Sequence, residues 1–184
     1  MKGIVFNLLE RVVAEQHGEQ TWDAILEAAG ASGAYTSLGN YPDEELGRIV
    51  VAASARLGVP PTDVVRWFGR SAIPLLARSH PAFFAPHRRT RDFLLTLNTI
   101  IHPEVRKLYR DAVVPEFRFE TEEPNTLHIG YCSPRKLCAL AEGFIQGAAE
   151  HYGETLTLEH PECMLRGDAS CAIVARFAAA RRAA

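Results

Sequence analysis

The sequence contains no long apolar run. Its N-terminal stretch MKGIVFNLLERVVAEQ is interrupted at Glu10 and Arg11 and continues as an amphipathic pattern, which is neither a signal peptide nor a membrane span. An excess of one charge is also missing: Lys and Arg number 20 against 22 Asp and Glu, a formal net charge of -2. With no basic stripe to neutralise a phosphate backbone, nucleic acid is not an expected partner, and neither is a membrane. Cysteines number four, with no CxxC pair and no secretory signal ahead of them. That usage fits a reducing, cytoplasmic setting in which thiols bind metal, respond to oxidants or pack, rather than form disulfides. No Walker loop, kinase motif or convincing nucleophile–base pair occurs, so the chain is not expected to be an enzyme.

What is present is enough to build one core. At 184 residues and 47% hydrophobic content, one domain spanning 1–184 is the expectation. Residues 4–17 carry an apolar helical stripe that Gly18 can end, and Thr21 suits the cap of a second short helix. Pro42-Asp43 opens a third helix, closed by Gly58. Thr62 suits the cap of a fourth, which Pro74 should kink or shorten. HPAFFAPHRR reads as a connector. TRDFLLTLNTII is apolar enough to predict a helix buried on most of its circumference, ending at His102-Pro103. The pattern then switches to period two: EFRFETE and TLHIGY flank Glu123-Pro124-Asn125 as a hairpin. A helix from Ser133 to about His151 follows, then the alternating runs TLTLEH and CAIVARF. Helices first and strands later, with one helix among the strands, predict an α+β fold with a helical N-terminal part and a C-terminal antiparallel sheet. The Ala/Arg tail after Phe177 is expected to fray.

Three clusters carry chemistry. A histidine among leucines and isoleucines is most often a packing residue, yet a neutral imidazole held between apolar helices is also what a haem iron needs on one side. His102 fits either description. In YCSPRKLC, Ser133 and Pro134 suit a helix start, but Tyr131, Ser133 and Arg135 at i, i+2 and i+4 also make a set of donors for carboxylates, such as haem propionates. The third cluster, His160-x2-Cys163-x7-Cys171, offers three ligands of the tetrahedral zinc type, with buried free thiols as the alternative. A fourth ligand could come from Cys132 or Cys138. If Tyr131 points to the carboxylate site, strand parity turns Cys132 away from it, which favours Cys138 for the metal.

Taken together, the MKGIVFNLL start, TWDAIL, LNTIIHPEVRKLY, the proline of VVPEF and the Tyr-x-Ser-x-Arg motif resemble the haem nitric oxide/oxygen-binding (H-NOX) family, whose members include the haem domain of soluble guanylate cyclase. The resemblance covers essentially the whole chain. It implies haem b lying between the two parts of the fold, with His102 as axial iron ligand, propionates on Tyr131, Ser133 and Arg135, and Pro115 pressing on the porphyrin. It implies a distal wall that includes Val5, Leu76 and Leu140. Members that hold oxygen tightly place a tyrosine in the turn where this chain has Leu140, so a sensor selective for nitric oxide over oxygen is implied. Nitric oxide would break the His102–iron bond and the resulting movement would regulate a separate protein, such as a histidine kinase or a cyclic-di-GMP enzyme. The length leaves no room for an output domain, which points to a stand-alone sensor. Cys138, His160, Cys163 and Cys171 match the zinc site of a bacterial subgroup. The rival reading is a haem-free, zinc-containing module of 4-vinyl-reductase-like type that binds a small molecule or senses redox state through its thiols. His80, His87, His128 and His151 are given no chemistry, and Trp22 and Trp67 are read as core aromatics.

Overall fold

The computed structural model describes residues 1–178, so all but the first residue of the tail expected to fray lies outside the described residues. Helix α1 (Gly3–His17) buries Phe6, Leu9, Val12 and Val13 on one face and stops at Gly18, whose φ of 87° is left-handed. Helix α2 (Glu19–Ala29) restarts at once, ahead of Thr21. Thr21 is therefore not its cap, and its hydroxyl donates back to the His17 carbonyl at 2.7 Å. Helix α3 (Asp43–Leu57) opens on Asp43, Glu44 and Glu45, carboxylates placed at the positive end of the helix dipole.

Helix α4 (Pro61–Ser79) begins with Pro61 in the first turn, where no N–H is needed, and Thr62 is not its cap. Pro74 does not shorten it: the helix runs on to Ser79. The bond forfeited by Pro74 is to the Arg70 carbonyl, and that carbonyl is pressed against another helix, as described below, so packing holds the turn in place. The connector contains one short helix, α5 (Pro81–Phe84).

The apolar segment after it is not one buried helix. It divides into α6 (Thr90–Leu95), a π-helical stretch over Leu97–Ile101 and α7 (His102–Leu108). Only Thr90, Phe93 and Leu94 are buried in α6, the π-helical stretch contributes no buried residue, and Ile100 is 47% exposed. His102 starts a helix rather than ending one. Pro103 falls in the first turn of α7, where a missing N–H costs nothing, and the chain continues helically through it.

Strands β1 (Glu116–Glu120) and β2 (Thr126–Cys132) form the expected hairpin, with Phe117 opposite Tyr131 and Phe119 opposite Ile129. Ser133 does not begin a helix. The Lys136 N–H bonds the Ser133 carbonyl at 3.0 Å, and Lys136 takes a left-handed φ of 51°, closing a turn that delays α8 to Cys138–His151. β3 (Leu156–Glu162) and β4 (Cys171–Phe177) complete an antiparallel sheet in the order β1-β2-β4-β3. The β3–β4 register slips between Glu159 and Glu162, across His160-Pro161, on an edge strand where a proline is tolerated.

The molecule is thus a helical N-terminal part joined to a four-stranded antiparallel sheet. One core lies among α1–α4, around Phe6, Ile25, Ile49 and Phe68, and a second lies between the sheet and α6 and α8, around Phe93, Ile129, Ile145 and Ile173. Helices α4 and α8 join the two with their backbones in contact. A Cβ on Gly69 would sit 2.6 Å from the Leu140 carbonyl oxygen, one on Gly143 2.1 Å from that of Arg66, and one on Gly147 2.5 Å from that of Arg70. Among the described residues no helix is long and apolar enough to cross a membrane.

Candidate functional site

His102 faces a cleft of about 300 Å³ between α7 and β1, shared with Asn98, Arg106, Pro115, Phe117 and Arg118. Its imidazole stacks on Phe117 with ring centroids 5.7 Å apart and makes no hydrogen bond to a described residue. Burial, helped by the nearby Arg106 guanidinium, pushes its pKa down to about 4. The ring is therefore neutral at physiological pH and keeps a lone pair for a metal.

Tyr131 also meets Phe117, edge-on to it at 5.6 Å. It is 3% exposed, and burial above all pushes its pKa up to about 12 even though its hydroxyl lies against Ser133 and the Leu137 backbone. It remains a neutral donor. Ser133 is buried, and its hydroxyl accepts from the Arg135 N–H at 3.3 Å within the turn. Arg135 donates through Nη1 to the Val113 carbonyl at 2.8 Å, which ties this turn to the segment carrying Pro115. Its Nη2 has no partner among the described residues. The structure thus brings His102 together with Pro115, and Tyr131 with Ser133 and Arg135, the two groups meeting at Phe117. The helix N-terminus expected beside Ser133 is not there, since α8 starts at Cys138.

The three expected distal residues are placed apart from the His102 cleft. Val5 and Leu140 pack on the helical core, whereas Leu76 packs on the sheet-side core, and Phe144 touches both. One nitrogen free for a metal, an adjacent proline, and phenol, hydroxyl and guanidinium donors across one aromatic ring form a donor set that suits an iron porphyrin with its two carboxylates.

The second constellation is tighter. Cys138 at the first position of α8, His160 at the β3 irregularity, Cys163 after β3 and Cys171 at the start of β4 place their ligand atoms all within 4.8 Å of one another. Cys138 Sγ and Cys163 Sγ are 3.6 Å apart, close to the about 3.8 Å that a tetrahedral zinc with Zn–S bonds of about 2.3 Å requires. His160 Nε2 is buried and has no hydrogen-bond partner among the described residues. An orphaned ring nitrogen beside three thiols is the mark of a metal ligand set, and zinc fits it. Without a cation the three sulfurs cannot all ionise. Burial, then the neighbouring thiols, pushes Cys138 up to about 12, and burial also raises Cys171. For Cys163 burial is outweighed by the backbone N–H groups of Leu165 and Arg166 and by donation from the neighbouring thiols, so its pKa falls. Cys132 is exposed and lies outside the cluster.

Two further residues belong to these sites without having been expected there. Asp43 receives Arg135, and Glu142, 6% exposed, receives both His160 and Arg66. The latter left a trace in the sequence: Glu142 lies four residues after Cys138, on the same face of the helix and within its largely apolar stretch Cys138–Ile145.

Comparison with known proteins agrees with this fold. The model of the haem-NO-binding family matches residues 2–160. The chain is 33% identical to an H-NOX protein from Shewanella oneidensis solved in the Fe(II)NO state, covering 97% of this chain and 100% of that one with a TM-score of 0.90. It is 25% identical to an alanine-to-glycine variant of an unliganded Fe(II) H-NOX protein from K. algicida, covering 98% of each chain with a TM-score of 0.86. No curated protein matches.

Proposed function

The chain belongs to the haem-NO-binding family of haem-based gas sensors, and on that premise we propose that it senses nitric oxide in preference to oxygen and passes the signal to a separate protein. The observation that carries this reading is the neutral, unbonded His102 imidazole at the head of a helix whose preceding turn is π-helical. When bound, haem would supply an iron that accepts a gas molecule. His102 would hold that iron, Tyr131, Ser133 and Arg135 would hold the propionates, and Pro115 would bear on the ring.

His102 also transmits the signal. α7 is held by the stacking of His102 on Phe117 and by the stretch over Leu97–Ile101, an irregular turn able to absorb a change of helix direction, so a change at His102 would be passed to α7. The displacement of α7 against the helical part is the output. Its strength cannot exceed the difference in gas affinity between the two arrangements. Selectivity lies with Leu140, which has no donor for a polarised oxygen molecule. Such a bond is worth about 1.5–3 kcal/mol, or roughly ten- to a hundredfold in affinity, and nitric oxide does not need it. The partner is a signalling enzyme of the histidine kinase or cyclic-di-GMP class. Zinc on Cys138, His160, Cys163 and Cys171 pins the β3–β4 connection to α8 as a structural site.

Absorption spectra of the reduced protein under nitrogen, air and nitric oxide test the reading. A Soret band unchanged by air and shifted by nitric oxide is expected. A stable shift in air would remove the selectivity, and failure to take up haem on reconstitution would remove the sensor and leave the zinc-containing module.

A further inference from the structure

The least expected contact in the molecule is made by a buried acid. Glu142 projects from α8 with a side chain only 8% exposed, and it bridges two groups. Oε2 accepts from Arg66 Nε on α4 at 2.7 Å, and Oε1 lies 2.5 Å from His160 Nδ1. Arg66 is in turn held by Asp63 at 2.5 Å. With Oε2 already accepting from Arg66, Oε1 is the acceptor that faces His160, so the hydrogen in that contact belongs to Nδ1. The other ring nitrogen, Nε2, then keeps its lone pair, and it is the buried orphan beside the three thiols.

The backbone arranges this contact. Gly143, the residue after Glu142, has no Cβ, and one placed there would lie 2.1 Å from the carbonyl oxygen of Arg66. The contact that welds α8 to α4 therefore also brings the Arg66 side chain onto Glu142. His160 reaches the acid from the point where the β3 register slips.

We infer that Glu142 is the positioning residue of the metal site: it fixes the tautomer and the ring orientation of His160 so that Nε2 binds zinc, and Arg66 holds its carboxylate in place for that task. This rests on the reading of Cys138, His160, Cys163 and Cys171 as zinc ligands. A carboxylate–histidine–zinc arrangement makes the imidazole a better donor, and loss of the outer carboxylate typically weakens metal binding by about 10- to 100-fold. It also ties the metal site to α4, an element that supplies none of the ligands.

The test uses the full chain carrying zinc. Metal content is measured first, then affinity by competition with a chromophoric chelator, and the Nδ1 proton of His160 is followed in long-range ¹H–¹⁵N spectra. Glu142→Leu is expected to weaken zinc binding by about 10- to 100-fold. Glu142→Gln keeps an acceptor and the shape, so it should recover much of that loss while moving the Nδ1 proton resonance upfield. Arg66→Met should change affinity less than Glu142→Leu. If Glu142→Leu does not fold, Glu142→Gln with the Nδ1 resonance decides the matter. Wild-type affinity and an unmoved Nδ1 resonance in the Glu142 variants would overturn the inference while leaving the zinc site standing. Wild-type protein devoid of zinc, and unable to take it up, would overturn the zinc reading and the inference with it.

Discussion

Arg135 grips Asp43 from 92 positions away in the chain, its Nε lying 2.8 Å from one carboxylate oxygen and 3.0 Å from the other. The same carboxylate takes the N-terminal ammonium of Met1 at 2.6 Å. One acid at the head of α3 therefore fastens the start of α1 to the turn before α8. Because Arg135 is also proposed to hold a propionate, the residue that senses the cofactor is already tied to the helical part.

This pairing gives Asp43 a pH signature. Burial alone would raise its pKa, but the hydrogen bonds and charges of the ammonium and of Arg135 outweigh it, and the net shift is downward. A depressed carboxylate contributes stability above its unfolded pKa of about 3.9 and loses it as pH falls through the lower folded value. Asp43→Asn should therefore cost about 0.2–1 kcal/mol at neutral pH, the range for a partly exposed ion pair, and the difference should shrink as pH falls below the unfolded value and vanish once it passes below the lower folded one. Urea midpoints of both proteins across this range provide the check. A gap that persists in acid would mean that the substitution acts through something other than charge.

His102→Gly should leave a folded protein, because the side chain occupies a cleft and stacks on a single ring instead of filling either core. The variant is expected to lose haem on purification and to retain it when grown with imidazole, which can enter the space vacated by the side chain. Haem content by the pyridine haemochrome method, with and without imidazole, decides. Full retention without imidazole would end the assignment of His102.

Gly143→Ala sets helix propensity against packing. Alanine is favoured over glycine by about 1 kcal/mol in a helix interior. The added Cβ, however, would meet the Arg66 carbonyl oxygen at 2.1 Å, and that atom belongs to a helix backbone that cannot swing aside. Overpacking of this kind costs about 1–3 kcal/mol, so net destabilisation is expected by thermal or urea unfolding, whereas Gly47→Ala, in open space on α3, should stabilise. A Gly143→Ala protein as stable as the parent would show that α4 and α8 can part at little cost.

How far these features could be read from the sequence depended on how local their causes are. The apolar stripe of α1, the β1–β2 hairpin and the antiparallel pairing all follow from periodicity, and they appear where the pattern puts them. Strand parity set Cys132 apart from Cys138, and the structure gathers Cys138 with His160, Cys163 and Cys171 and leaves Cys132 exposed. What misled was local grammar overruled by distant packing. Pro74 fails to break α4 because α8 presses on the turn it weakens. Ser133-Pro134 looks like a helix start, yet Lys136 adopts a left-handed conformation that postpones it. LNTII seemed apolar enough to bury, but its π-helical winding sets Ile100 toward solvent. The Asp43–Arg135 and Arg66–Glu142–His160 links join residues far apart in sequence, and neither has a local signature beyond an acid set in the apolar first half of α8.

The selectivity proposal can be tested at one position. Leu140 is half-buried on α8 beside Phe144, packed on the helical core that also receives Val5, and its backbone carbonyl abuts Gly69 of α4, so its own main chain has no room to move. Leu140→Tyr adds a hydroxyl to this wall at the expense of a larger ring, and the strain of the ring is expected to cost about 1–3 kcal/mol of stability. Size and hydrogen bonding must therefore be separated, and Leu140→Phe supplies the ring alone. If polarity sets the preference, Tyr should raise oxygen affinity by about ten- to a hundredfold over Phe, while nitric oxide affinity differs little between the two. Oxygen and nitric oxide titrations of both variants read this ratio. Equal oxygen affinities would place the origin of selectivity elsewhere than at Leu140.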